Sequence, residues 1–277
     1  MRSIFLKTLS ASEKINKYLE KRFSYQKTVF LHIPKCGGTS ISSAISRAIC
    51  ANHNGYVDPI MTRYLAQKLS KNHTTTAEIE LLFNMRRALF FERFEKQEPY
   101  IYGHFPVIKQ CLLDQGNYMF MTILREPVER FISQFKYYLA TRVLNKKKSV
   151  THDEIKVLWD DYFYSDLAQF HANILVSYLD DKSPDGIGTS DSLERAVTNL
   201  KYFKIIGTLD RLDLFAQKFN NKTNRALDIE VVKNKTADKM LQEQNFLINS
   251  FFTEQRNQEI RQLCRQDISF YCLAKQQ

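Results

Sequence analysis

The 277-residue sequence predicts an α/β fold: a central, mainly parallel sheet flanked by helices, with a P-loop-like phosphate-binding loop after the first strand. Three observations predict it. Short apolar runs rich in β-branched and aromatic residues recur at 28–33 (TVFLHI), 100–105 (YIYGHF), 118–124 (YMFMTIL) and 202–207 (YFKIIG). Longer stretches with apolar residues at helical spacing stand between them, the alternation that builds parallel sheets. The composition, 44% apolar and 25% charged, is that of an ordinary globular protein and excludes collagen-like, low-complexity and mainly disordered chains. No Gly-, Pro- or Ser-rich linker divides the chain and no repeat is visible. One domain over 1–277 is expected, with a basic N-terminal helix at 1–27 and a core at 28–274.

The elements follow in chain order. Ile15, Tyr18 and Leu19 fall at helical spacing, so the N-terminal stretch reads as an amphipathic helix. Residues 1–35 hold eight Lys/Arg and two Asp/Glu, which places +6 of the net +10 there. Docking on the domain with solvated lysines is the preferred reading; peripheral contact with a membrane surface stays open. The first apolar run, 28–33, leads into PKCGGTS and then a helical segment, ISSAISRAICA. Residues 60–98 read as helical, closed by Pro99. After the run at 118–124 come Arg125, Glu126 and Pro127, then a helix from Val128 to about Leu144 with proline near its start. Residues 181–191 (DKSPDGIGTSD) read as a loop, 192–200 and 209–219 as helices, and 237–274 as one or two more.

Charge and cysteine usage narrow the class. A net charge of +10 points to an anionic partner: nucleic acid, a membrane surface, or phosphorylated or sulfated small molecules. The five cysteines (Cys36, Cys50, Cys111, Cys264, Cys272) form no CxxC or Cys/His cluster, so neither zinc nor a disulfide framework is expected. Reduced thiols, no secretory apolar core at the N-terminus and no run of about 18 apolar residues lead to the expectation of a cytoplasmic protein without a transmembrane segment.

The sharpest local signal is Lys35-Cys36-Gly37-Gly38-Thr39-Ser40. Paired glycines let successive N–H groups face an anion, and the helix that follows adds its positive end. As a bare glycine pair this is a turn; with Lys before it, Thr-Ser after it and a strand ahead, it reads as an anion cradle. It is not the nucleotide-triphosphatase pattern, in which the lysine follows the glycines and a strand-end Asp holds Mg²⁺. Here the strand 118–124 ends in Arg125, a cation suited to a second anionic group, and Ser133 lies two turns into the next helix. Glu126 points away if Arg125 points in.

At these residues the sequence resembles the sulfotransferases that use 3′-phosphoadenosine 5′-phosphosulfate (PAPS). HIPKCGGTS (32–40) is similar to their 5′-phosphosulfate loop and TILREPVERFISQF (122–135) to their 3′-phosphate motif. GHFP (103–106) resembles the Gly-His segment of the carbohydrate branch, the group with the heparan-sulfate 2-O-sulfotransferases, also described as sulfotransferase family 2. Weaker similarity runs through 202–219, Asn234-Lys235-Thr236 and 257–274. Cys36 stands where Thr is commoner and Glu126 where Asp is commoner.

The resemblance implies PAPS as donor, PAP as product, no metal, and a hydroxyl acceptor of carbohydrate type. It places Lys35 and the N–H groups of Gly37–Ser40 on the leaving-group side, His104 as the base, and Arg125 and Ser133 on the 3′-phosphate. Asn234, Lys235 and Thr236 would form a late loop over the nucleotide. His32 reads as structural or loop-orienting; His53, His73, His152 and His171 receive no role. Lys146–Lys148, Arg142, Arg86 and Arg87 are candidates for an anionic acceptor, set against a solvated surface. Trp159 and Tyr162 divide evenly between stacking on a sugar and core packing. Two other classes stay on the table: a Mg²⁺-dependent nucleotide or sugar kinase, and a non-enzymatic polyanion-binding protein. No nucleic-acid-binding motif supports a nucleic-acid partner.

Overall fold

A computed structural model describes residues 26–49, 51, 54–70, 74–116, 118–144, 149–182, 189–229 and 244–276. The expected N-terminal helix, Cys50, His53, His73, Lys146–Lys148 and Asn234-Lys235-Thr236 therefore lie outside the described residues. Five parallel strands, β1 (Lys27–Leu31), β2 (Tyr56–Val57), β3 (Tyr100–Gly103), β4 (Tyr118–Leu124) and β5 (Ile205–Thr208), form one sheet in the order β2-β3-β1-β4-β5. The four runs read as strands are strands, 118–124 in full and the others trimmed at one end. All seven residues of β4 are buried because it lies between β1 and β5 and is covered on both faces.

The period of two divides the sheet's side chains between two cores. Val29 and Leu31 of β1 and Phe120 and Leu124 of β4 face one side; Phe30, Met119, Met121 and Ile123 face the other. The second face is covered by α1 (Gly38–Ile49), through Ile41 and Ile45. The first is covered in part by α3 (Thr75–Glu95), which follows α2 (Pro59–Leu69). The stretch 60–98, read as helical over MTRYLAQKLS and then TAEIELLFNMRRALFFERFEKQE, holds these two helices. Ser70 caps the end of α2, and the Thr74 hydroxyl accepts from the Ala77 N–H to start α3.

A short α4 (Lys109–Leu113) precedes β4, and α5 (Pro127–Leu139) follows it, continued by a π-turn at Ala140–Leu144. Then come α6 (His152–Phe163), α7 (Asp166–Ala172), α8 (Ile174–Leu179) and α9 (Ser190–Leu200). A 3₁₀ turn at Leu209–Arg211 leads from β5 into α10 (Leu212–Thr223), and α11 (Asn245–Phe251), α12 (Glu254–Leu263) and α13 (Arg265–Ala274) close the chain. Among the described residues, the C-terminal stretch holds three helices rather than the expected one or two.

Helices α5, α6, α7, α11 and α12 enclose a separate aromatic core built on Phe131, Phe135, Trp159, Tyr162 and Phe251. Trp159 and Tyr162 are 3% and 2% exposed, which corrects the sugar-stacking alternative: both are packing residues. Arg86 is corrected likewise. It is buried, donates to the Tyr178 hydroxyl at 2.7 Å and the Thr62 hydroxyl at 3.2 Å, and so ties α3 to α2 and α8 instead of facing an acceptor. Arg87 donates to the Asp180 and Lys182 carbonyls. The Arg142 guanidinium lies over the Tyr138 ring, 5.7 Å from its centroid.

Candidate active site

In an open parallel sheet, ligands bind beyond the carboxyl ends of the strands, where the strand order reverses. Here the chain leaves β1 toward β2 and β3 on one side, then crosses to β4 and β5 on the other. The reversal lies between β1 and β4. Pairing of Leu31 with both Gly103 and Thr122, and of Leu124 with Thr208, brings the exits of β1, β3, β4 and β5 to one rim. Lys35, His104 and Arg125, read from distant segments, stand on that rim.

The loop after β1 turns tightly. Lys35 and Gly37 both have positive φ, 66° and 76°, and the Cys36 N–H closes the turn on the Ile33 carbonyl at 3.3 Å. Gly38 opens α1, so its N–H and that of Thr39 belong to a first turn without intrahelical acceptors. The Cys36 side chain is buried, its Sγ 3.8 Å from the Pro34 carbonyl, and burial pushes its thiol up to about 12. It packs inward as a neutral group and the cradle is made of backbone. The Lys35 ammonium lies 4.6 Å from the centroid of the Tyr137 ring on α5.

Gly38 has a second, steric reason. A Cβ there would fall 2.0–2.4 Å from ring atoms of His32. The His32 imidazole occupies that space and faces the His104 imidazole, with centroids 4.1 Å apart and planes 35° apart. Gly103, at φ 136°, sits so close to the Val57 carbonyl that a Cβ would lie 2.4 Å from it, and delivers His104 to the rim. Burial, with help from Lys35, lowers His32 to about 4. Burial first, then His32, holds His104 well below the ordinary histidine value, and its Nδ1 is buried without a hydrogen-bond partner. Both rings are neutral at pH 7.

On the other side, the Glu126 carboxylate accepts from the Glu129 N–H at 2.8 Å and Pro127 takes the first helical position, so Glu126 is the N-cap of α5. Arg125 donates through Nη1 to the Lys35 carbonyl at 3.4 Å, and its Nε lies 3.6 Å from the Glu129 carboxylate. Arg125 and Ser133 line a cavity of about 350 Å³ between α5 and the α11–α12 pair. Behind it, Arg130 is fully buried, donates to the His171 carbonyl, and faces Asp267, which accepts the Leu175 and Val176 N–H groups at 2.9 and 3.0 Å. Burial raises Asp267 to about 7 while Arg130 and those N–H groups pull the other way.

The arrangement brings together Lys35, Cys36, Gly37, Gly38, Thr39, Ser40, His104, Arg125 and Ser133. The structure adds neighbours that sequence reasoning did not single out: Tyr137 beside Lys35, and Lys136, Asn249 and Asn257 in the cavity wall. Tyr137 lies one turn beyond Ser133 on α5 and was within reach of a helical count; Asn249 and Asn257 come from helices more than a hundred residues away. Among the described residues, no cluster of His, Cys, Asp and Glu is arranged to hold a metal ion, and no helix is long and apolar enough to cross a membrane. Comparison with curated proteins returns no match. Comparison with family models matches residues 22–272 to the model described as the sulfotransferase family.

Proposed function

The chain belongs to the sulfotransferase family, and from that premise we propose that it moves the sulfuryl group of PAPS to an acceptor hydroxyl of a carbohydrate by in-line displacement. The observation that carries the reading is the meeting of Lys35, His104 and Arg125 at the reversal of strand order, from the exits of β1, β3 and β4. The donor supplies an activated sulfuryl group and a phosphate leaving group; this chain's residues do the rest.

Gly38 and Thr39 present N–H donors to the departing 5′-phosphate oxygen, and Lys35 swings from the Tyr137 face to offset its charge. His104 takes the proton of the acceptor hydroxyl as its oxygen bonds to sulfur. A neutral imidazole has one unprotonated nitrogen for this, and its burial keeps it neutral at pH 7. Arg125 and Ser133 hold the 3′-phosphate, Arg125 exchanging Glu129 for it. His32 fixes the ring of His104 from behind. The carbohydrate class of acceptor rests on Gly103-His104-Phe105-Pro106, and the cytoplasmic compartment on the free thiols Cys36, Cys111, Cys264 and Cys272.

The test is melting in the presence of PAP without Mg²⁺, followed by transfer from labelled PAPS to a panel of polysaccharides, phenols and small alcohols. PAP raises the melting temperature of the wild type and not of Lys35→Ala or Arg125→Ala. His104→Ala keeps PAP binding and loses ~10²–10⁴-fold in transfer, the range of a positioned acid–base group. An unchanged melting temperature with excess PAP refutes the donor; full activity in His104→Ala refutes the base.

A further inference from the structure

The cavity between α5 and the α11–α12 pair contains more chemistry than the 3′-phosphate motif supplies. Arg125 and Ser133 account for one wall. The opposite wall comes from Asn249 on α11 and Asn257 on α12, with Lys136 of α5 between them. The Lys136 ammonium donates to the Asn249 Oδ1 at 2.6 Å, so the amide holds it against the cavity. The Asn257 Oδ1 is buried and has no hydrogen-bond partner among the described residues. A buried amide oxygen without a donor gains nothing from its orientation, and turning the amide about its last bond presents the NH₂ group instead. Two cations, a hydroxyl and two amides thus converge, against one carboxylate, Glu129, which is two-thirds exposed and already paired with Arg125.

Resting on the PAPS reading, we propose that Lys136 and Asn257 are further ligands of the donor's 3′-phosphate, and that Glu129 occupies Arg125 until that phosphate displaces it. The site then selects nucleotides with a 3′-phosphate over those phosphorylated only at the 5′ position. Lys136 contributes charge, steered by Asn249. Asn257 contributes N–H donors from the far wall, so the phosphate is gripped from α5 and α12 together. A doubly charged phosphate tolerates one exposed carboxylate nearby because two cations face it and Glu129 rotates into solvent.

Calorimetric titration of the full chain with PAP and with adenosine 5′-monophosphate tests this. The wild type binds PAP more tightly. Lys136→Met, which keeps the apolar stem, and Asn257→Ala each weaken PAP by roughly ten- to hundredfold, the range for a lost hydrogen bond to a charged group, and leave adenosine 5′-monophosphate unchanged. Glu129→Gln strengthens PAP about twofold, the scale of an exposed i,i+4 ion pair. Melting without ligand shows that each variant is folded, and Asn257→Asp serves as a second variant that keeps shape and repels phosphate. If the wild type prefers PAP and Arg125→Ala removes the preference while the Lys136 and Asn257 variants keep it, this proposal is overturned and the donor reading stands. If the wild type binds no PAP, both fall.

Discussion

Replacing Gly38 by alanine tests the geometry of the site more sharply than removing a charged group. The added Cβ would lie 2.0 Å from His32 Cδ2 and 2.4 Å from Cγ and Nε2, far inside contact distance. The ring has no free path away from it. His104 stacks on it at 4.1 Å, and Phe30 lies 6.2 Å off with its plane nearly parallel. Overpacking of this kind costs ~1–3 kcal/mol, and the helix-propensity gain of alanine over glycine offsets up to about 1 kcal/mol of it. A net loss of roughly 1–2 kcal/mol lowers the melting temperature of a chain this long by about 2–8 °C. The effect on transfer is larger, because His32 is pushed into His104 and a misplacement of about 1 Å costs on the order of 10²-fold.

The assay is a cycle of Gly38→Ala, His32→Ala and the double variant, read by calorimetry and by transfer from labelled PAPS. With the ring removed, alanine at position 38 has room. The stability cost of Gly38→Ala therefore disappears in the His32→Ala background, and the coupling is of the size of that cost. Gly37→Ala is the control: its Cβ meets only the tip of Leu209, at 2.6 Å, and φ of 76° adds the ~1–2 kcal/mol of a left-handed residue. It lowers stability with no coupling to His32. Equal cost of Gly38→Ala in both backgrounds, or wild-type melting and full transfer in the single variant, refutes the reasoning.

Three further outcomes are expected. His32, lowered to about 4, and His104 and His171, lowered by burial, bind protons in the unfolded chain before they do in the folded one; their contribution to stability is present above about pH 6.5 and declines as pH falls below it, while Asp267, raised to about 7, takes its proton earlier in the folded chain and offsets part of the loss, so three groups against one leave melting at pH 5 below melting at pH 7.5. Transfer shows no loss centred on the ordinary histidine value, because burial holds His104 below it; a midpoint near 6.5 in the rate profile overturns its burial. Asp267→Ala strands the Leu175 and Val176 N–H groups and removes the carboxylate that interacts with the buried Arg130 charge, which at ~1–3 kcal/mol per stranded group costs roughly 2–6 kcal/mol and lowers melting by about 10 °C; a change under about 2 °C refutes that role. Iodoacetamide followed by mass spectrometry labels exposed Cys272 well before Cys36, Cys111 and Cys264, which are buried, with thiols pushed up to about 12; early labelling of Cys36 contradicts its inward packing.

What was legible in the sequence follows from how locally each feature is determined. β1, β3 and β4 are largely buried on both faces, so continuous apolar runs mark them, while β5, at the sheet edge, buries alternate residues and was marked by its Ile-Ile pair. β2 is a two-residue edge strand, too short for any period to show. The Gly-Gly loop and Arg125 were readable because their chemistry is set by immediate neighbours. Arg86 was not: what buries it is Tyr178, 92 residues away. The same holds for Trp159 and Tyr162, whose packing partners include Phe251 and Ile260 from the last helices. His32 stood in view, and only the stacking on His104 and the contact with Gly38 give its ring a reason.

The two faces of α5 connect these observations. Its outer face carries Glu129, Ser133, Lys136 and Tyr137 toward the site; its inner face sends Phe131 and Phe135 into the aromatic core and Arg130 toward His171 and Asp267. The helix is started by Glu126 and Pro127 immediately after the strand-end Arg125, so the position of that cation and the register of the core-forming face are set by one cap. The opposite wall of the cavity belongs to α11 and α12, which share that core through Ile248, Phe251 and Ile260. An anion held between the walls therefore stabilises a contact that the hydrophobic core also makes. At a hundredfold excess over the dissociation constant such binding contributes about 2.7 kcal/mol.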